Sequence, residues 1–138
     1  MKKLFFVLAF VFVATLANAQ GVIKFETESH DFGKIEEGTI ATFEFKFKNT
    51  SKTAAVVISN VSPSCGCTTP SWTKEPVMPG GTGSVTASFS SAGRPGGFSK
   101  TVTVVSNSET PQIVLSFKGE VVPKGSLTEA TPAKKKAN

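Results

Sequence analysis

The chain has 138 residues, which suits one domain better than two. Its 12 Gly and 8 Pro are too few for a collagen-like or wholly disordered protein. The net charge of +5 comes from the two ends, because nine basic and nine acidic residues cancel between positions 20 and 122. The central region therefore has no excess of basic residues that would favour nucleic-acid binding.

The first segment, residues 1–19, is a predicted export signal. Lys2 and Lys3 precede an apolar stretch over residues 4–16, and Ala17-Asn18-Ala19 ends the segment with an A-x-A cleavage motif. We expect cleavage between Ala19 and Gln20, with a retained membrane anchor as the alternative. The apolar stretch is short for a membrane span, and no second one follows. The sequence thus predicts a protein exported to the periplasm or secreted, with no membrane span after signal removal.

The remaining chain has the pattern of short β-strands. In residues 40–49, Phe43, Phe45 and Phe47 alternate with charged residues, which places the three rings on one face of a strand. Residues 54–61 form a more continuous β-branched run, typical of a strand with both faces covered. Further strands are predicted at residues 22–27, 84–90, 100–105 and 112–118.

Turn residues separate these runs roughly every ten positions. The turns are predicted at residues 37–38, 49–52, 79–81, 93–97 and 106–108. No segment shows a helical period, so residues 20–122 are predicted to form an all-β, antiparallel β-sandwich of about seven strands. The eight Phe residues after the signal are expected to lie mostly in its core. Residues 123–138 have one Leu and too little apolar surface to offset the entropy of ordering, so they are predicted to be a disordered basic tail.

Several short motifs in this region occur in a characteristic order and spacing. They are HDFGKI (30–35), EG (37–38), FKFKNT (45–50), SCGCT (64–68), PGG (79–81), GGF (96–98), SN (106–107) and FKG (117–119). Together they resemble the bacterial family called domain of unknown function 1573, and the Cys-Gly-Cys element is the most specific of them. The resemblance covers residues 25–122. It implies an immunoglobulin-like fold, similar to major sperm protein and Hydin domains, and extracytoplasmic placement, but no settled activity.

Cys65 and Cys67 are the only cysteines, and Gly66 separates them. An oxidising compartment favours a disulfide between them. Their Cα atoms would lie about 7 Å apart in an extended chain, so a bridge requires a bend, which Gly66 permits. Such a small ring is strained, and a strained disulfide is labile.

Other roles for these cysteines remain open. As free thiols they would bind a soft metal such as Cu(I), and His30, the only histidine, would supply a third ligand if it lay close. They are otherwise small buried hydrophobes or pair between chains. A structural zinc site would need four ligands, which the cysteines and the histidine together do not supply.

The sequence contains no familiar catalytic set. His30 and Asp31 are adjacent and point to opposite sides of an extended segment, which is poor support for a Ser-His-Asp arrangement. Asp31-Phe32-Gly33 is predicted to be a turn, with the Asp side chain bonded to nearby backbone N–H groups and Phe32 in the core. Trp72 is expected to pack over the cysteine turn, with an exposed contact role as the alternative.

The sequence therefore predicts a non-enzymatic interaction or structural module of the cell envelope, without a cofactor. Its partner is expected to be an envelope or extracellular protein of unknown identity, because sandwich edges can add a strand from another chain. The alternative is a thiol-based protein, in copper binding or disulfide exchange, that uses Cys65-Gly66-Cys67.

Overall fold

A computed structural model describes residues 19–127, and strands are its regular elements in that range. Most of the predicted signal and the tail beyond Leu127 lie outside the described residues. No helix within the described range is long and apolar enough to cross a membrane. The strands are β1 (Ile23–Phe25), β2 (Ser29–Glu36), β3 (Ile40–Asn49), β4 (Ile58–Pro63), β5 (Thr68–Trp72), β6 (Thr82–Ser90), β7 (Gly96–Ser106) and β8 (Gln112–Val122).

The strands form two four-stranded sheets, which confirms the predicted sandwich. Sheet A has the order β1-β3-β6-β5, and sheet B has the order β2-β8-β7-β4. All strand pairings are antiparallel except β2 with β8, which is parallel. The exception arises because the chain passes from sheet A to sheet B between β1 and β2. The Glu26 N–H donates to the Lys46 carbonyl of β3 in sheet A, and two residues later the Glu28 carbonyl accepts from the Ser116 N–H of β8 in sheet B.

The core lies between the sheets and is rich in phenylalanine. Phe45 and Phe47 of β3 are fully buried and Phe43 is partly buried, as their alternation predicts. All eight Phe residues of the described region belong to the core cluster or pack against it. Period-two alternation also predicts the inward residues of β6, β7 and β8. Ile113 is partly buried, and the other seven are buried: Val85, Ala87, Phe89, Val102, Val104, Leu115 and Phe117.

The strand predicted over residues 54–61 is wrong in its bounds and in its burial. Strand β4 begins at Ile58, and Val56 forms only an isolated bridge with Val77. Val56 is fully buried, but Val57 is exposed. The physical reason is that each sheet of the sandwich packs on the core through one face only, so alternate side chains face solvent, as they also do on the central strands β7 and β8.

Two strands, β2 and β5, lie in segments where the sequence predicts none. The expected turn at Asp31-Phe32-Gly33 is a bulge inside β2, where the register with β8 shifts between Asp31 and Lys34. The predicted local bond is present, since Asp31 Oδ1 accepts from the Gly33 N–H at 2.8 Å. The sequence does not predict this strand because Gly33, with a φ of 64°, interrupts the alternation of apolar and polar residues.

The last described residues continue past β8 into a turn. The Ser126 N–H donates to the Pro123 carbonyl at 3.1 Å, and the Leu127 N–H donates to Glu36 Oε1 at 3.2 Å. The start of the predicted disordered tail is therefore bonded to β2 in this structure.

Candidate functional site

The cysteine turn carries the chain from one sheet to the other. Strand β4 is the outer strand of sheet B, β5 is the outer strand of sheet A, and residues 64–67 connect them. We call residues 64–67 the disulfide corner, because Cys65 and Cys67 are joined there by a disulfide. Their Cα atoms are 5.3 Å apart, so the chain bends at Gly66.

Backbone bonds anchor both ends of the disulfide corner. The Ser64 N–H donates to the Thr101 carbonyl of β7 at 2.9 Å, and Ser64 Oγ accepts from the Thr101 N–H at 3.1 Å. At the other end, the Cys67 carbonyl accepts from the Ser90 N–H of β6 at 3.0 Å. One end of the corner is therefore bonded to sheet B and the other to sheet A, independently of the disulfide.

The two sulfur atoms have different surroundings. Cys67 is 8% exposed and belongs to the core cluster, whereas Cys65 is only partly buried at its margin. The hydroxyl of the buried Thr68 lies 3.8 Å from Cys65 Sγ and 4.0 Å from Cys67 Sγ. Solvent therefore reaches the disulfide from the Cys65 side, and one hydroxyl is within hydrogen-bonding reach of both sulfurs.

His30 contacts aromatic rings. Its imidazole stacks on Phe43 with ring centroids 3.7 Å apart and meets the edge of Phe32 at 4.6 Å. Across residues 19–127, no three His, Cys, Asp or Glu side chains group in a way that could hold a metal ion. The structure therefore does not bring His30 to Cys65 and Cys67, and the Cu(I) hypothesis would require the reduced form of the cysteine pair.

Trp72, at the end of β5, packs against the core with its ring partly buried. The Lys74 ammonium lies 3.1 Å from the centre of the ring, in a cation–π contact. The indole N–H is buried without a hydrogen-bond partner in the described part of the chain. Trp72 is thus mainly a packing residue in the wall of the sandwich.

A second feature, which the sequence pattern does not predict, is an uncovered edge on β3. Strand β1 has three residues and β3 has ten, so β1 covers only the end of β3 nearest Asn49. The last bond on this side runs from the Glu26 N–H to the Lys46 carbonyl. No described strand pairs with residues 40–44 on that side, where the backbone N–H and C=O groups of Thr42 and Glu44 face outward. We call residues 40–44 the uncovered β3 edge.

The edges at β4 and β5 are closed to a further strand by proline. In an antiparallel pair, the backbone groups of every second residue face the neighbouring strand. The Cys67 carbonyl and the Thr73 N–H both bond β6, so the backbone of Pro70, an odd number of residues from each, faces the outer side of β5. The same alternation applies to β4. The backbone of Ser64 bonds β7, so the backbone of the preceding residue, Pro63, faces the outer side of β4. Neither proline has an N–H to offer an incoming strand.

Side chains cap part of the edge at β2. Thr27 Oγ1 accepts from the Ser29 N–H at 3.3 Å and donates to the Ser29 carbonyl at 2.7 Å. The Asp31 carboxylate accepts a hydrogen bond from the Gly33 N–H in the bulge, so this N–H is not available to another chain. Such side-chain caps and bulges are devices that protect exposed sheet edges. Residues 40–44 of β3, by contrast, have no described strand, proline or side-chain cap on their outer side and are accessible to strand addition.

The strand order and the change of sheets between β1 and β2 define an immunoglobulin-like sandwich. Within that class, the chain belongs to the protein family of unknown function DUF1573, whose family model matches residues 23–121. The resemblance inferred from the motifs is thus confirmed. No curated protein matches the sequence.

Solved structures resemble the chain in fold at low sequence identity. A protein of unknown function from Porphyromonas gingivalis W83 is 16% identical, with a TM-score of 0.66 over 79% of this chain and 51% of the other. This chain thus spans about half the length of that protein. PapD-like domain 7 of human CEP192 is 11% identical, with a TM-score of 0.58 over 86% and 98%. The Vibrio cholerae VesB protease is 13% identical, with a TM-score of 0.55 over 74% and 31%.

Proposed function

We propose that the protein is an exported, non-enzymatic interaction module of the cell envelope, which binds an extended segment of a partner protein along the uncovered β3 edge. The observation that carries this proposal is that β3 keeps outward backbone groups over residues 40–44, which no described strand pairs on that side, whereas prolines stand on the edge strands β4 and β5. The signal-like segment at residues 1–19 supports export, and the fold alone would be weak support for any function.

The geometry of the edge defines what the partner segment must look like. A strand placed beside Thr42 and Glu44 would form main-chain hydrogen bonds with both residues, as in known strand-addition complexes. Its inward side chains would face the partly buried Phe43, which already contacts His30. Its end would lie beside Ile40, which is 71% exposed. We therefore expect an extended partner segment with apolar residues at alternate positions.

The first experiment identifies the partner and tests the contact. A photo-crosslinking residue at position 40, in the full chain expressed in its bacterial host, should link to one envelope protein. Binding of the purified partner is then measured with Thr42→Pro and Thr42→Val. Both variants lose the hydroxyl contact between Thr42 and Ser88, but only proline removes the outward N–H.

We expect Thr42→Pro to weaken binding about tenfold or more, since it removes one hydrogen bond and crowds the edge. Thr42→Val should bind like the parent. Hydrogen exchange should show that the Thr42 and Glu44 amides become protected in the complex. The proposal is wrong if the purified partner binds Thr42→Pro as tightly as the parent, or if exported protein yields no specific crosslink at the edge.

A further inference from the structure

We propose a second activity at the disulfide corner: the Cys65–Cys67 disulfide exchanges with a dithiol, and Cys65 is the sulfur that is attacked. A thiolate of the dithiol attacks Cys65 Sγ, the Cys65–Cys67 bond breaks, and Cys67 leaves as a thiolate. The second thiolate of the dithiol then attacks the dithiol's first sulfur, which is bonded to Cys65 in the mixed disulfide, and Cys65 is released as a thiolate. The dithiol is oxidised to a disulfide, Cys65 and Cys67 are reduced by two electrons, and the two thiol protons pass to them.

The difference in exposure between the two sulfurs assigns their roles. An attacking thiolate must approach one sulfur along the S–S axis, and only Cys65 lies at the margin of the core. Cys67 is buried and next to Thr68, whose hydroxyl is within hydrogen-bonding reach of its sulfur. A hydrogen bond from that hydroxyl would stabilise the thiolate that leaves.

The backbone keeps the two cysteines close when the disulfide opens. Ser64 is bonded to Thr101 in sheet B and Cys67 is bonded to Ser90 in sheet A, and neither bond involves a sulfur. The Cα atoms, 5.3 Å apart, would therefore remain within the range that a disulfide requires. Reduction and reoxidation can thus proceed without unfolding of the sandwich.

The size of the ring also favours exchange. A disulfide stabilises a fold mainly by restricting the unfolded chain, and this effect decreases as the loop becomes shorter. The loop between Cys65 and Cys67 contains one residue, Gly66. Thermodynamic linkage makes this relation reciprocal. Because the bridge adds little to the stability of the fold, the fold adds little to the stability of the bridge, and the disulfide is correspondingly easy to reduce.

Lys100 lies on β7 next to the end of the disulfide corner that is bonded to sheet B. Pro63 pairs with Val102 and Ser64 bonds Thr101, so Lys100 is the next residue of β7 past that bond. Lys100 is partly buried and lies on the inward side of β7, like Val102. A neighbouring ammonium group favours a thiolate over a thiol, so Lys100 is inferred to be a positioning residue for the released Cys65.

The test compares Cys67→Ser, which leaves Cys65, with Cys65→Ser, which leaves Cys67. Each folded full-length variant reacts with oxidised glutathione and with an aromatic disulfide reagent, and intact mass reports the mixed disulfide. We expect Cys65 to react at least about tenfold faster, because an exposed thiolate is the reactive form. Circular dichroism confirms that both variants are folded. Equal rates, or faster reaction of Cys67, would overturn the assignment of the attacked sulfur.

Two further measurements test the activity itself. The folded, oxidised parent should transfer its disulfide to a peptide that contains two cysteines, and Lys100→Gln in the Cys67→Ser background should move the pH profile of Cys65 reactivity to higher pH. Lys118→Gln, at an exposed lysine on β8, serves as the control. The activity is refuted if the parent disulfide is reduced only after denaturation. Cys65→Ser with Cys67→Ser should still bind the partner at the β3 edge, so the two proposals fail separately.

Discussion

Pro63 and Pro70 lie on the two edge strands that flank the disulfide corner, and both face the open side of their sheets. Pro63 ends β4 in sheet B, and Pro70 is the middle residue of β5 in sheet A. Because proline has no N–H, neither edge can complete a hydrogen-bond ladder with another chain. The side of the sandwich that carries the disulfide is thus protected against strand addition, whereas the opposite side, at β3, is open.

Replacement of Pro70 by Val should create a second adhesive edge. The new N–H would face outward from β5, so we expect concentration-dependent dimers in size-exclusion chromatography with light scattering. Ser71→Val is the matched control, since it adds the same β-branched side chain at an exposed position whose N–H faces β6. If Pro70→Val and Ser71→Val remain equally monomeric up to millimolar concentration, proline is not what protects this edge.

Most of the fold follows from local alternation in the sequence. The period of two in β3, β6 and β8 identifies both their position and their buried face, because each lies between two neighbours or packs an apolar face on the core. Strands β2 and β5 could not be recognised in this way. Both are edge strands, and their stability comes from pairing with β8 and β6 rather than from an apolar pattern of their own.

Asn49 should be the most important polar residue for stability. It is fully buried, and its Oδ1 accepts from the N–H groups of Val22 (3.3 Å) and Ser51 (3.0 Å). Its Nδ2 donates to the carbonyls of Ala54 (2.8 Å) and Val77 (2.9 Å). Asn49→Ala would remove all four bonds and leave the Val22 and Ser51 N–H groups and the Ala54 carbonyl without these partners, while the Val77 carbonyl keeps its bond from the Val56 N–H. We therefore expect the free energy of unfolding to fall by roughly 2–4 kcal/mol in urea titrations.

Asn60→Ala provides the comparison for Asn49. Asn60 is exposed, and its side chain bonds only the Ser62 hydroxyl, at 2.8 Å. The loss should stay within about 0.5 kcal/mol, as for most surface substitutions. Similar losses for the two variants would show that the Asn49 hydrogen bonds contribute no more than an exposed contact.

Gly119 lies at a close approach between β8, β7 and the bulge of β2. A Cβ atom at this position would lie 2.7 Å from the Phe98 ring and 2.8 Å from the Gly33 carbonyl oxygen. Gly119→Ala should therefore cost roughly 1–3 kcal/mol of unfolding free energy, as overpacked substitutions do. Gly97→Ala is the control, because a Cβ there meets nothing within 4 Å, and it should be nearly neutral. Equal thermal shifts in calorimetry would contradict this account.

The candidate sites were predictable only in part. The spacing of Cys65 and Cys67 indicates a bend at Gly66, and the structure has that bend. That the bend joins two sheets depends on the strand order, which the local pattern does not encode. The uncovered β3 edge depends on the length of β1 relative to β3, and strand ends are set by tertiary contacts. His30 is a candidate third metal ligand in the sequence because it is the only histidine. Its stack on Phe43 joins the two sheets and depends on tertiary packing, which the local pattern does not encode.

Removal of the disulfide should weaken the sandwich less than removal of a bridge that closes a long loop. For the three-residue loop from Cys65 to Cys67, the loop-entropy relation gives about 1.6 kcal/mol at 25 °C. With about 4–8 °C per kcal/mol for a domain of this size, Cys65→Ser with Cys67→Ser should lower the Tm by roughly 6–13 °C. The reduced parent should melt near the same temperature, which separates loss of the bridge from the effect of serine. A fall in unfolding free energy above about 4 kcal/mol would mean that the disulfide holds the corner, rather than the bonds of Ser64 and Cys67 to the two sheets. The disulfide would then be a structural bridge that is poorly suited to exchange.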